Sequence, residues 1–381
     1  MKIVNQHWTA DEGWSGSFPQ EFLENAQLVF IFGSRKSICG QNIYSQLRQE
    51  FPNSTLVGCS TSGEILNDSQ VLEDSLVVTA ILFEHSHVDY CVLPSSDFET
   101  SYQLGVELVA GLPKEGLVHA FVLSDGLTVN GSQLVEGIMG KLPGGVGLTG
   151  GLAGDGTDFC ETLICGNRDF EVGKVVILGF YGTRLKVGYG SLGGFVPFGP
   201  ERHVTKSEGN VLYQLDGQSA LDLYKNYLGP EKSENLSYNQ FLFPLSYRTE
   251  GMKREVVRTV LAINEDEKTM TFAGDIPEGS LARLMKTNNF RLVEGAHNAA
   301  NMANERFLDN SMQLAILVSC VGRKIVMRQR IDEEIEEVRE VVGESPVLTG
   351  FYSYGEIAHF QQFGSCEFHN QTMTITSFSE I

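Results

Sequence analysis

The apolar positions of this chain change period repeatedly, and each change marks an element. Leu28 to Phe32 is a continuous apolar run of strand length. Ile43, Tyr44, Leu47 and Phe51 recur at helical spacing and stop before Pro52, whose ring disfavours helical backbone in the residue ahead of it. Thr55 to Cys59 and Ser75 to Phe83 read as further strands. Leu104, Leu108 and Leu112 predict a helix, and Val118 to Leu123 a strand. Asn130 is placed to cap a helix carrying Leu134, Ile138 and Leu142. Phe159 to Ile164 and Lys174 to Tyr181 read as short strands.

Gly188 to Gly199 is glycine-rich and weakly patterned, which predicts loop or irregular strand. Ser219 caps a predicted helix with Leu221, Tyr224 and Leu228, ended by Gly229-Pro230, and a domain boundary is expected there. Glu255 to Ile263 and Met270 to Ala273 predict a hairpin, and Ser280 to Asp309 a long helical stretch. Leu314 to Cys320 and Val347 to Phe351 read as strands around an amphipathic helix, Asp332 to Val342, closed by Gly343. Thr372 to Phe378 alternates as a strand does. The whole predicts an α/β chain, with α+β as the variant: mixed sheets built from repeated strand-helix-strand units, in two domains related by internal duplication.

One unit recurs, a strand, helix and strand followed by a glycine loop that ends in an acid. The first copy closes with Gly58-Cys59-Ser60-Thr61-Ser62-Gly63-Glu64-Ile65, and the last with Gly350-Phe351-Tyr352-Ser353-Tyr354-Gly355-Glu356-Ile357. Thr149-Gly150-Gly151-Leu152-Ala153-Gly154-Asp155 offers a third copy, with Asp155 in the place of Glu64 and Glu356. A strand-end glycine lets backbone N–H groups approach a ligand. Ser60, Thr61, Ser62 and Ser353 add hydroxyls, and Glu64 or Glu356 is able to accept from an amine or simply to order its own loop.

Composition narrows the choice of function. The 381 residues are too many for one ordinary core and suggest two domains. A formal charge of −20 argues against nucleic acid and anionic membrane, both of which need clustered Lys and Arg. No apolar run approaches the ~20 residues that span a bilayer, and the polar N-terminus has no signal-peptide core. Seven cysteines without a Cys-x-x-Cys pair fit reduced thiols in a cytoplasmic protein better than disulfides or zinc.

Enzyme motifs are sparse. No P-loop, His-Glu-x-x-His or Gly-x-Ser-x-Gly elbow occurs, and Ser124-Asp125-Gly126 has no histidine beside it. Cys59 or Cys320 remains as a nucleophile for a thiol-dependent hydrolase or transferase. Arg323 is able to clamp a carboxylate, or to pair with the acidic helix Asp332 to Glu340. With Glu64 or Glu356 holding an amine, it would serve a sensor of amino acids or related metabolites. His297 lies at the edge of an Ala-rich helical face that would admit a flat ligand, and a neutral imidazole there is able to ligate a haem iron. His119, His203 and His359 are weaker candidates, and His85 with His87 is thin for a metal site.

Five segments in order then carry a resemblance. They are Val57 to Ile65, Gly150 to Gly156, Ser319-Cys320-Val321-Gly322-Arg323, Gly350 to Ile357 and His369-Asn370-Gln371-Thr372-Met373-Thr374. Together they resemble the FIST family of sensory proteins from about Leu28 to the C-terminus. The resemblance implies an N-terminal extension over 1–27, a FIST N-like domain over 28–218 and a FIST C-like domain over 219–381. It implies a cytoplasmic ligand sensor, not an enzyme, acting on a partner. A chain of this size is similar to the nitric-oxide-sensing members, thought to bind haem and to regulate a histidine kinase or a cyclic-di-GMP enzyme. The expected ligand-binding set is Cys59, Ser60, Thr61, Glu64, Gly151, Asp155, Cys320, Arg323, Tyr352, Tyr354 and Glu356, with His297 on the haem iron.

Overall fold

The apolar runs pair into three sheets of one design. The structure, a computed structural model, describes residues 1–233, 236–252, 254–307, 311–359 and 364–381. In each unit two parallel strands are joined by a helical crossover: Leu28–Gly33 with Thr55–Ser60, Leu117–Ser124 with Gly147–Leu152, and Leu314–Cys320 with Val347–Ser353. Helix Gly131–Met139 makes the second crossover, and its Asn130 cap accepts from the Gln133 N–H as the sequence predicts. Two antiparallel strands follow on one side of each pair. Ser75–Leu82 and Lys2–Thr9 complete the first sheet, Lys174–Tyr181 and His87–Pro94 the second, and Met373–Glu380 and Leu185–Leu192 the third.

The other edge of every sheet is filled by another unit. Ile164–Gly166 from the second unit joins the first sheet, Gly355–His359 from the third joins the second, and Glu64–Ile65 from the first joins the third. The exchange is cyclic, so the three sheets close on one another around a pseudo-threefold axis. Their inner faces meet in a core rich in phenylalanine. Phe30 packs on Phe121 at 5.8 Å, Phe32 on Phe351 at 4.8 Å and Phe180 on Phe378 at 4.9 Å, one pair for each junction between sheets.

A fourth sheet is inserted between Leu185–Leu192 and helix Asn289–Asn304. Among the described residues its nine strands lie between Val196 and Lys286, and it has its own core around Val204, Leu212, Tyr224 and Phe272. Helix Ala220–Leu228, capped by Ser219, packs on it.

Several expectations change. Residues 1–27 are no loose extension: Lys2–Thr9 pairs along its whole length with Ser75–Leu82. At the expected boundary, 218/219, Gln218–Ser219 pairs with Val211–Leu215 in the fourth sheet. The repeat is threefold rather than a simple duplication of halves. Ser280 to Asp309 is not one helix, because Leu281–Lys286 is a strand and Asn288 caps helix Asn289–Asn304; Asp309 lies outside the described residues. Phe159 stands in left-handed backbone rather than a strand, and pairing starts at Ile164.

Gly188 to Gly199, expected as loop, begins within strand Leu185–Leu192. A Cβ at Gly188 or Gly190 would meet the Ala303 or Ala299 carbonyl at 2.3 or 2.2 Å. These glycines let the helix press onto the strand. Its alanines 296, 299, 300 and 303, all fully buried, are small for the same reason.

The registers make Gly58, Gly150 and Gly350 equivalent, opposite Ile31, Val122 and Leu317. At each of the three a Cβ would sit within 2.0 Å of the facing carbonyl, and Gly350 also has φ 158°. Gly350→Ala should therefore cost roughly 3 kcal/mol or more in urea unfolding. Gly40→Ala, helical and with nothing within 4 Å, should be neutral or mildly stabilising in the same assay.

Candidate functional site

The parallel strands all end at one head of the barrel, where the three loops lock together. Ser62 N–H donates to the Tyr352 carbonyl at 2.8 Å, Tyr354 N–H to Leu152 at 3.1 Å and Gly154 N–H to Ser60 at 2.9 Å. Each loop thus hangs on the next.

The acids of these loops are buried structural groups. Glu64 accepts from the Thr61 hydroxyl and, at 2.5 Å, from the Ser75 hydroxyl. Glu356 accepts from Ser353 at 2.7 Å and from the Thr372 hydroxyl and N–H at 2.9 and 3.0 Å. Burial raises both carboxyls to about 7, outweighing these donors. Asp155 is not their counterpart. In register, Glu64 and Glu356 correspond to Ile164, because the second unit carries a longer connection that holds Asp155 and Phe159. Asp155 instead organises that connection, accepting from the N–H groups of Phe159, Cys160 and Glu161 and from the Tyr354 hydroxyl. Burial pushes its carboxyl up, but these donors outweigh burial and hold it below its ordinary value.

Other expected contacts are also taken up within the fold. Arg323 is fully buried and pairs with Glu334 at 2.6 Å, and it donates to the Gly193 and Leu292 carbonyls at 2.7 and 2.8 Å. Tyr352, equally buried, donates to Glu334 at 2.6 Å. Neither is free to clamp a ligand. Ser60 Oγ accepts from Leu163 N–H at 2.8 Å, and Gly151 lies in the sheet opposite Glu356. Asp125 holds its own loop through the N–H groups of Leu127 and Thr128. Burial drives the Cys59 and Cys320 thiols well above their ordinary values, so neither is a thiolate at neutral pH.

The histidines do not fit haem. His297 stands on the outer face, 42% exposed, with Nδ1 2.6 Å from Glu337. Glutamate pairing suits a ligating imidazole, but the Ala-rich face beside it is filled by the glycine strand. His119 is buried against Thr149 at 2.8 Å and held near 3 by burial. His359 Nε2 accepts from Leu148 N–H. Among the described residues no group of three or more His, Cys, Asp or Glu could hold a metal ion.

Two clefts open at the head. The larger, about 630 Å³, lies between Arg35, Lys36, Thr61–Glu64, Asp155–Asp158 and Lys324, and is strongly charged. Several of its ions pair with one another: Lys36 with Asp74, Lys324 with Glu73 and Arg35 with Asp158. The smaller, about 290 Å³, lies where the barrel meets the fourth sheet. The barrel supplies Gly126–Gly131, Leu152, Phe159, Cys320–Gly322, Tyr354, Phe368 and Asn370. The fourth sheet and its connections supply Asn210, Phe241, Thr259, Leu261 and Phe272–Gly274. No charged side chain lines it among the described residues. Phe159 stacks on Tyr354 at 4.6 Å at its wall.

Of the expected set, only Cys320 and Tyr354 line this smaller cleft, while Thr61, Glu64 and Asp155 line the charged one. Sequence reasoning missed Thr259, Leu261, Phe159 and the buried Arg258 behind the wall. Asn370 stood in a quoted segment without a role. A signal was absent because the inserted sheet has no counterpart in the repeated unit.

The cyclic three-unit barrel thus carries an uncharged cleft against an inserted sheet. Residues 27–218 match the FIST N domain and residues 220–359 the FIST C domain, and the chain belongs to the FIST family. FIST domains are sensor domains of signal transduction. An uncharacterised protein of Methanocaldococcus jannaschii is 25% identical over 86% of this chain and 69% of its own length. The crystal structure of a cyanuric acid hydrolase from A. caulinodans aligns over 100% of this chain and 98% of its own at 9% identity, with a TM-score of 0.37. No described helix is long and apolar enough to cross a membrane.

Glu64 and Glu356 ionise near pH 4.5 when unfolded but near 7 when folded, so their stabilising contribution falls as pH rises between those values. Buried His119 and His369, held near 3, contribute the opposite slope below 6.5. A Glu64→Gln, Glu356→Gln variant isolates the first effect. Its stability gain over wild type should grow from pH 5 to 8 and then level, by up to roughly 3 kcal/mol per site, in denaturant titrations across pH.

Proposed function

We propose that this chain is a ligand-operated sensor whose ligand occupies the uncharged cleft between the barrel and the inserted sheet. The observation that carries this reading is that both bodies wall the cleft and each contributes a buried polar atom without a partner. These are Thr259 Oγ1 from the inserted sheet and Asn370 Nδ2 from the barrel. A buried polar atom left unpaired costs about 1–3 kcal/mol, which a bound molecule would recover.

The same junction holds a means of passing the signal on. Arg258, from the inserted sheet, donates to the Phe368 carbonyl at 2.8 Å and to Ser132 Oγ at 3.2 Å on the barrel. It also lies over the rings of Tyr247 and Phe368 at 5.2 and 5.4 Å. A ligand wedged beside it would bias how the inserted sheet sits on the barrel, and a partner would read that difference. The partner, on the family resemblance, is a histidine kinase or a cyclic-di-GMP enzyme. The role is binding rather than catalysis, since the two thiols considered as nucleophiles are buried and protonated.

Thermal-shift screening with single-ring fragments tests the site. Fragments that raise the melting temperature should slow amide exchange at residues 259–261 and 368–370. Leu261→Trp, at the exposed mouth, should fill the cleft and abolish the shifts while leaving the unliganded protein folded. Fragment binding that Leu261→Trp leaves untouched would remove the cleft from the function.

A further inference from the structure

The chemistry of the cleft also selects the kind of molecule that enters it. Resting on the site just proposed, we infer that the ligand is a small apolar or aromatic body bearing a carbonyl or carboxylate oxygen and no ammonium group.

The unpartnered polar atoms favour an acceptor. Asn370 Oδ1 already accepts from Thr259 N–H at 3.4 Å, which fixes the amide orientation and leaves Nδ2 as an unused donor. Thr259 Oγ1, a hydroxyl with no partner, is able to donate to the same ligand oxygen. Both residues are more than nine-tenths buried. The other donors of the wall's hydroxyl and amide side chains are spent elsewhere: Tyr354 OH donates to Asp155, Thr128 Oγ1 to Asp125, Asn130 Nδ2 to Asp275 and Asn210 Nδ2 to the Phe272 carbonyl.

Behind the wall lies a buried guanidinium. Arg258 is 1% exposed, and its guanidinium lies against the backbone of Gly274, where a Cβ would meet Nε at 2.8 Å. Its hydrogen bonds all go to neutral oxygens, and no described carboxylate is within salt-bridge distance. Glu367, the acid whose titration Arg258 influences, does not line the cleft. A cationic amine would lose its hydration in a cleft whose described lining has no charged side chain, since the carboxylates of Asp125, Asp155 and Asp275 lie behind the wall and are held by Thr128, Tyr354 and Asn130. A carbonyl or carboxylate oxygen meets an unused donor.

The remaining wall suits an apolar body. Leu127, Phe159 and Leu261, each at least 40% exposed, gather at this one cleft. A volume of about 290 Å³ is at the small end of ligand sites and fits one or two rings. Free amino acids are thereby disfavoured, although they would supply a carboxylate, because no acid among the described residues lines the cleft for their ammonium group.

Calorimetric titration with benzamide, benzoate, benzylamine and L-phenylalanine separates the possibilities. Benzamide or benzoate should bind at least tenfold more tightly than benzylamine and L-phenylalanine, and the ratio between the first two distinguishes a neutral carbonyl from a carboxylate. Asn370→Asp, which turns the donor into an anionic acceptor, should reverse the order in favour of benzylamine. This gain of binding cannot come from a misfolded variant. Tight benzylamine or L-phenylalanine binding by wild type that Leu261→Trp abolishes would overturn the ligand class but keep the site. Binding that Leu261→Trp does not affect would overturn the site itself. Absence of binding by all four probes at millimolar concentration, with wild type folded, would overturn the class.

Discussion

Three backbone hydrogen bonds at the head of the barrel, each from one unit's loop to the next unit's strand end, set the geometry on which both clefts depend. They tie Ser62 to Tyr352, Tyr354 to Leu152 and Gly154 to Ser60. Because every loop is held by a neighbour, the strand ends converge and the loops cannot splay. The edge-strand exchange beneath them and the phenylalanine pairs in the core repeat this interdependence at lower levels. The uncharged cleft then arises where the repetition is broken. The second unit's longer connection brings Phe159 to the wall, and the inserted sheet closes the cleft over the same loop.

Much of this was legible in the sequence, and the part that was not has a physical reason. Strands with continuous apolar runs, such as Leu28–Gly33 and Leu314–Cys320, announced themselves because both of their faces are buried. The loop motif of Glu64 and Glu356 was recognisable, and both residues proved equivalent in space. Asp155 misled because a glycine before an acid is a local pattern, while equivalence is decided by register. Asp155 and Ile164 exchange places only once the strand pairing is known. Arg323 follows the second of its two expectations, pairing with Glu334 of the acidic helix Asp332–Val342 instead of clamping a ligand, and the same carboxylate takes Tyr352, whose residue type suits ligand binding.

His297 illustrates the same limit. Ala-rich helix faces are ambiguous, because small side chains admit a cofactor or a close-packed strand equally well. The strand that fills the space contains Gly188 and Gly190, in a segment whose glycines concealed its extended conformation. The cleft residues Thr259, Leu261 and Asn370 come together only because the inserted sheet folds back onto the barrel. No period or spacing along the chain encodes that closure.

The cyclic exchange of edge strands has a consequence for biosynthesis. During translation the first unit leaves the ribosome early, but Glu64–Ile65 finds its partner only when Val347–Ser353 has been made. Leu185–Leu192 likewise waits for Met373–Glu380. The barrel therefore cannot close one unit at a time. Until the last strand is synthesised, open sheet edges and unpaired phenylalanines are presented together, a combination that favours aggregation over productive folding. The first sheet has all its strands once Ile164–Gly166 is made, but termination before Val347–Ser353 leaves the third sheet without central strands and both Glu64–Ile65 and Leu185–Leu192 without the strands they join.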